Sequence, residues 1–248
     1  YFFYTVADKM GVDAIVRYAK DFGLGVKTGI EIGESAGVLA GPNSRDTWYQ
    51  GETLNAAIGQ SDNAFTPLQL CVYAATLANN GDRPRATLIS KITDYTREEV
   101  KDEIELEIVE NVGVSQENLD YVKEGMKAVI TEGSAKSTLG NYPIEIAGKT
   151  GTAERSSGSD NVTFIGYAPA DDPQIAFSVV LDHGASGRYC QNVVRDILDA
   201  YFYDAEVCED GVIRTADERA EAAAAANASS EDSSASSAAS GDSASSEA

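Results

Sequence analysis

Apolar residues recur at helical spacing over residues 5–22, where Val6, Met10, Ile15, Ala19 and Phe22 mark one face and Gly23 stops the run. Residues 23–64 lose that period and carry glycine at 23, 25, 29, 33, 37 and 41, the pattern of a long connecting region. Thr66-Pro67 then opens a second helix, with proline in its first turn, which runs through Leu70, Val72, Tyr73 and Leu77 to the stop signal Asn79-Asn80-Gly81. Residues 86–112 favour strands, with Leu88-Ile89 and Ile104 to Val109 separated by a charged stretch. A further helix is predicted over 117–131 from Leu119, Val122, Met126, Val129 and Ile130. Three strand candidates follow at 144–153, 162–168 and 174–182, the last two joined by the turn-rich Pro169-Ala170-Asp171-Asp172-Pro173. Cys190, Val193, Val194, Ile197, Leu198, Tyr201 and Phe202 trace the clearest helical stripe in the chain. The predicted fold class is α/β (α+β): a mainly antiparallel sheet flanked by helices.

Composition divides the chain. Residues 216–248 hold 13 Ala and 10 Ser with no aromatic residue, Val, Ile or Leu. Such a segment lacks the apolar surface that offsets the entropy of ordering, so residues 1–204 read as the folded part and 205–248 as a disordered acidic tail. Ala222 to Ala226 is at most a transient helix. The charge divides as well: residues 205–248 carry 10 acidic and 2 basic residues, and residues 1–204 carry 30 and 17. A body with net charge −13 excludes the basic footprint that nucleic-acid binding requires. Cys71, Cys190 and Cys208 are too few and too widely spaced for a zinc site beside a lone His183, and the first two read as buried thiols. No run of 18 apolar residues is present to cross a membrane. The chain opens on Tyr1-Phe2-Phe3-Tyr4 with no basic segment before it, unlike a signal peptide, and reads as the C-terminal portion of something longer.

Ala147-Gly148-Lys149-Thr150-Gly151-Thr152-Ala153-Glu154 carries the chemistry. Gly148-Lys149-Thr150 is not a phosphate loop, because Pro143 stands where that motif needs glycine and a polar turn and strand follow instead of a helix. The segment reads instead as an edge strand beside an acyl-transfer site. Lys149 presents a fixed positive charge, and Thr150 and Thr152 offer hydroxyls to a carboxylate. Gly151 lets a substrate backbone lie against the strand, and the N–H of Thr152 contributes to an oxyanion hole.

Lys149-Thr150-Gly151 resembles the third motif of penicillin-binding proteins and serine β-lactamases. The resemblance extends to Phe164-Ile165-Gly166-Tyr167-Ala168-Pro169, to Asn55-Ala56-Ala57-Ile58-Gly59-Gln60, to Thr66-Pro67-Leu68-Gln69-Leu70, and to Tyr1 to Gly11 with Phe22-Gly23-Leu24-Gly25. Together these cover residues 1–203 and look like the transpeptidase domain of a class B, elongation-type penicillin-binding protein. The resemblance implies a serine in an S-x-x-K motif that attacks the penultimate D-Ala carbonyl of a peptidoglycan stem peptide, releases D-Ala and passes the acyl group to an amine. It implies binding of β-lactams, a glycan polymerase partner, an anchor on the extracytoplasmic face of the membrane, and no cofactor or metal. Glu154 takes a position bordering the substrate groove.

Two departures qualify this. No serine here has lysine three residues later, so S-x-x-K is expected upstream of Tyr1 together with S-x-N. Ser61-Asp62-Asn63 spells the second motif but lies inside the matched Asn55–Leu70 stretch, and Lys27-Thr28-Gly29 repeats the third inside a glycine-rich loop; both read as scaffold. A piece without the nucleophile is expected to be inactive alone. A β-lactam-sensing or non-catalytic binding domain of the same fold stays open as the alternative. A secreted β-lactamase fits less well, because its chain would normally end soon after the final helix.

Overall fold

The protein is described here from a computed structural model, which describes residues 1–225. The chain divides into two units, Tyr1–Val194 and the part from Arg195 onward. In the first unit the predicted helix over 5–22 is two helices, α1 (Phe2–Met10) and α2 (Val12–Asp21). Gly11 lies between them with φ 77, a backbone angle that favours glycine, so the chain turns where the apolar spacing alone reads through. After the glycine-rich connection come α3 (Gln50–Ala57), which packs with α1, and α4 (Pro67–Ala78), which packs against the main sheet.

The start of α4 is fixed by a capping box. The Thr66 hydroxyl accepts from the Gln69 backbone N–H at 3.2 Å, and the Gln69 side-chain oxygen accepts from the Thr66 N–H at 2.9 Å. Gln69 is fully buried and does more than cap: its Nε2 donates to the carbonyls of Val26 and Ala36 at 2.7 and 2.8 Å. One carboxamide thereby ties two turns of the glycine-rich connection to the helix, and each partner is a backbone group that burial would otherwise leave unpaired.

The segment after α4 forms two small antiparallel sheets, β1 (Asp82–Pro84) with β4 (Ile108–Asn111) and β2 (Lys91–Thr93) with β3 (Val100–Glu103). Leu88-Ile89 is not a strand, contrary to expectation. The Leu88 N–H donates to the Glu31 carboxylate at 2.9 Å, so a distant side chain takes the bond that a ladder would have used. Next come α5 (Gln116–Thr131) and the short α6 (Lys136–Leu139).

The main sheet is an antiparallel meander of β5 (Ala147–Ala153), β6 (Asn161–Ala168) and β7 (Ile175–Leu181), with β6 in the centre. Gly166 is required there, since a Cβ at that position would overlap the carbonyl oxygen of Ala147 on the neighbouring strand. Leu77, Leu119, Met126, Ala147, Tyr167 and Ala170 form a core that joins α4, α5 and this sheet. The buried Tyr167 hydroxyl has no hydrogen-bond partner among the described residues, and burial pushes its pKa up to about 12. α7 (Gly187–Tyr203) begins in the first unit, where Cys190 and Val194 are buried.

The expected end of structure near residue 204 needs correction. The second unit contains the hairpin β8 (Glu206–Val207) and β9 (Ile213–Arg214), followed by helical residues 216–225. Arg214 grips Asp210 through a two-pronged contact at 2.8 and 2.7 Å across the hairpin turn, which holds the Asp210 carboxyl down at about 2. Thr215 and Glu218 form a reciprocal cap at the next helix start, at 2.8 and 3.3 Å. Ion pairing and capping thus order a stretch whose composition alone reads as unstructured. Residues 226–248, the rest of the predicted tail, lie outside the described residues.

Replacing Gln69 by Ala strands the Val26 and Ala36 carbonyls and half of the capping box. Gln69→Ala should cost about 3 kcal/mol, read as a lower urea midpoint with unchanged denaturant slope.

Candidate active site

β5 pairs with β6 through seven residues, from Ala147 opposite Tyr167 to Ala153 opposite Asn161, and nothing among the described residues pairs with its other side. The predicted segment is therefore an edge strand. Strand alternation places Thr150 and Thr152 on one face and Lys149 and Gly151 on the other. The threonines share a face with Phe164 and Val162, directly opposite them on β6, and both of these are buried. Lys149 stands opposite Ile165 and is exposed, its Nζ donating to the carbonyl of Thr150 at 2.5 Å. A Cβ on Gly151 would lie 2.5 Å from the Thr163 methyl group, so glycine is needed there for packing within the sheet as well as for any approach from outside. Glu154 lies just past the strand and is exposed. The following Arg155 turns back to Asp182 at 3.0 Å.

Two further side chains reach this strand, neither singled out from the sequence as part of the site. The Ser134 hydroxyl sits 2.9 Å from that of Thr150, and the Ser134 carbonyl accepts from the buried Gln191 at 3.4 Å. Gln60, 92 residues earlier, donates from Nε2 to the carbonyl of Thr152 at 3.4 Å. The sequence carries no local signal for either: Ser134 reads as the polar stop after a helix, and Gln60 as one residue of a matched scaffold segment.

Ser61-Asp62-Asn63 serves the scaffold. The Asp62 carboxylate is gripped by the Arg45 guanidinium and accepts from the Ser44 hydroxyl at 2.7 Å, and these bonds hold its pKa below the usual carboxylate range. The Ser61 hydroxyl donates to Glu52 at 2.8 Å. Asn63 accepts from the buried Ala40 N–H at 2.9 Å and donates to the Gln60 carbonyl at 3.1 Å.

Lys27-Thr28-Gly29 is likewise a turn. The Glu34 carboxylate accepts from the Thr28 N–H, the Thr28 hydroxyl and the Gly29 N–H at 2.8, 2.8 and 2.9 Å. Burial pulls the Glu34 carboxyl upward, but the three hydrogen bonds and the Lys27 charge outweigh it and hold the group below its ordinary range. His183 is a loop residue: its Nδ1 meets the Ser159 carbonyl at 2.9 Å, which requires the proton on that nitrogen. Trp48 donates to Thr53 at 2.9 Å as a packed side chain. Cys190 is buried as expected, whereas Cys71 is only half-buried, and burial raises both thiols above their usual pKa, which suits inert residues. Among the described residues no group of His, Cys, Asp or Glu could hold a metal ion, and no helix is long and apolar enough to cross a membrane.

The family model described as the penicillin binding protein transpeptidase domain matches residues 1–199. The peptidoglycan D,D-transpeptidase MrdA of Acinetobacter baumannii is 30% identical over 220 residues, covering 80% of this chain and 32% of that protein. The crystal structure of Pseudomonas aeruginosa PBP2 in complex with WCK 5153 aligns with a TM-score of 0.70 at 31% identity, covering 88% of this chain and 49% of that one. A structure reported as the structural coordination of polymerization and crosslinking by a peptidoglycan synthase complex aligns with a TM-score of 0.65 at 30% identity, covering 77% of this chain and 33% of that one. The chain spans about a third of the length of the curated relatives it matches.

The scaffold role of the first Lys-Thr-Gly gives a pH test. A carboxyl held below its ordinary value contributes stability that is full above that value and fades as pH falls through the folded value. Glu34→Gln should cost roughly 1.5 kcal/mol at neutral pH. The gap to the parent should shrink as pH falls below about 4.3, followed by thermal melts across pH 3 to 7.

Proposed function

The chain belongs to the penicillin-binding protein transpeptidase family, with class B relatives of the PBP2 type, and on that premise we propose that it is the C-terminal part of a peptidoglycan D,D-transpeptidase. In this reading β5 is the wall of the active site. A serine in an S-x-x-K segment and an S-x-N motif, both upstream of Tyr1, complete the site. The serine Oγ attacks the carbonyl between the two terminal D-alanines of a stem peptide. The C–N bond breaks, D-Ala leaves with the proton on its amine, and an ester to serine remains. An amine of a neighbouring peptide then attacks that ester and regenerates the hydroxyl. β-Lactams enter by the same route and stay as the acyl ester.

Each residue of β5 has a role in this proposal. Lys149 supplies positive charge beside the nucleophile and the substrate carboxylate. The Thr150 and Thr152 hydroxyls, which alternation places on one face, donate to that carboxylate. The Thr152 N–H stabilises the tetrahedral oxyanion, a donor of a kind worth about 3 kcal/mol in the transition state. Gly151 admits the substrate backbone, and Glu154 borders the groove. The observation that carries the reading is that these residues lie on a strand paired on one side only, leaving an edge against which an extended peptide can lie.

The isolated chain is inactive in this reading, because the nucleophile is not among its residues. The full-length protein works on the extracytoplasmic face of the membrane, anchored by a segment outside this chain, beside a glycan polymerase. That partnership draws support from the likeness to a chain of a peptidoglycan synthase complex. No cofactor takes part.

In the full-length protein, Lys149→Ala should slow acylation by a fluorescent penicillin about a hundredfold, followed as label retained in gels against time. Acylation at the parent rate would remove Lys149 from its assigned role.

A further inference from the structure

The open edge of β5 is not bare. The carbonyls of Thr150 and Thr152 each accept a side-chain donor, Lys149 Nζ at 2.5 Å and Gln60 Nε2 at 3.4 Å. Gln60 comes to the Thr152 carbonyl from outside the sheet, on the side that the β6 ladder leaves over, and groups two residues apart on a strand point the same way. Thr150 and Thr152 thus present their backbone groups to the open side. An extended ligand that adds to this edge pairs its own N–H with these carbonyls. At Thr152 that acceptor is already taken.

The residue that takes it is held from both sides. The Gln60 N–H donates to the Asn55 carbonyl at 3.0 Å, and its own carbonyl accepts from Asn63 at 3.1 Å. Gly59 and Ser61 on either side have φ 83 and 67, and a left-handed serine is a conformation that the surroundings must enforce. Here the enforcement comes from Glu52, which takes the Ser61 hydroxyl, and from Arg45, which grips both Glu52 and Asp62. This bracing fixes the backbone, while the half-buried carboxamide of Gln60 can still turn about its own side-chain bonds.

We propose that Gln60 is a specificity-determining residue of the strand edge: its carboxamide guards the Thr152 carbonyl and yields it to ligands whose backbone-like N–H can replace it. The guard therefore slows peptide-like acyl donors, which must displace one hydrogen bond before their own N–H restores it. Ligands without an N–H at that place have nothing to put on the carbonyl and leave the guard where it is. The inference rests on the transpeptidase reading.

The test uses the full-length protein and two β-lactams. One is a penicillin, whose acylamino chain carries an N–H; the other is a carbapenem that bears only hydrogen in its place and so has no donor to offer. Second-order acylation rates are measured for the parent, Gln60→Ala and Gln60→Met. Met keeps the length of the side chain but cannot donate. Both variants should be acylated about threefold faster by the penicillin and at the parent rate by the carbapenem. Equal acceleration of both compounds, no change in either, or a gain with Ala but not with Met overturns the guard. Slower acylation by the penicillin also overturns it, because it would make Gln60 a ligand contact. If neither compound labels the parent, the transpeptidase reading fails and the guard with it. Matching melting temperatures for the three proteins show that the comparison is between folded chains.

Discussion

The ladder between β5 and β6 is the interaction on which the candidate site depends. It fixes which residues of the Lys149–Thr152 segment face the sheet's two sides, and it consumes only one edge of the strand. The register is defended by fit: a Cβ on Gly166 would overlap the Ala147 carbonyl, and one on Gly148 would lie 2.7 Å from the Phe164 ring. A slip of one residue would swap the faces, carrying the threonines to the lysine's side and forcing side chains into these two contacts.

Around that strand the protein spends its polar side chains on holding irregular backbone. The long connection between α2 and α4 has almost no ladder of its own, and four residues organise most of it: Gln69 from inside α4, Glu34 across the Lys27–Gly29 turn, and the pair Asp62 and Arg45. Each does so by accepting or donating to several partners at once, which suits a region too rich in glycine to specify its own path. Short motifs that spell chemistry in one setting are therefore structural in another. Lys27-Thr28-Gly29 and the Ser61-Asp62-Asn63 triplet owe their composition to hydrogen bonds within the scaffold.

Much of this was legible in the residues. The strand pattern located β5, β6 and β7 within three residues at each end, and Thr66-Pro67 marked the start of α4. The split at Gly11 was hidden because both halves of the stripe keep a helical period across it. The β8–β9 hairpin was hidden by low hydrophobicity, since its order comes from the Asp210–Arg214 pair and the Thr215–Glu218 cap, signals carried by single side chains. At the site, the residues of one strand could be read together because strand alternation is local. Ser134 and Gln60 could not, because only the packing of α5, the Asn55–Gln60 segment and the sheet brings them to Thr150 and Thr152.

An open strand edge is also a hazard, since two such edges can zip together between molecules. A second copy laid on β5 would bring a second exposed Lys149 ammonium group to the seam. It would also have to strip Gln60 and Lys149 from the carbonyls they cover. The same positive charge that serves a carboxylate in the proposed function would thus deter self-association, so an edge proposed to take peptides need not be offered to the chain's own kind.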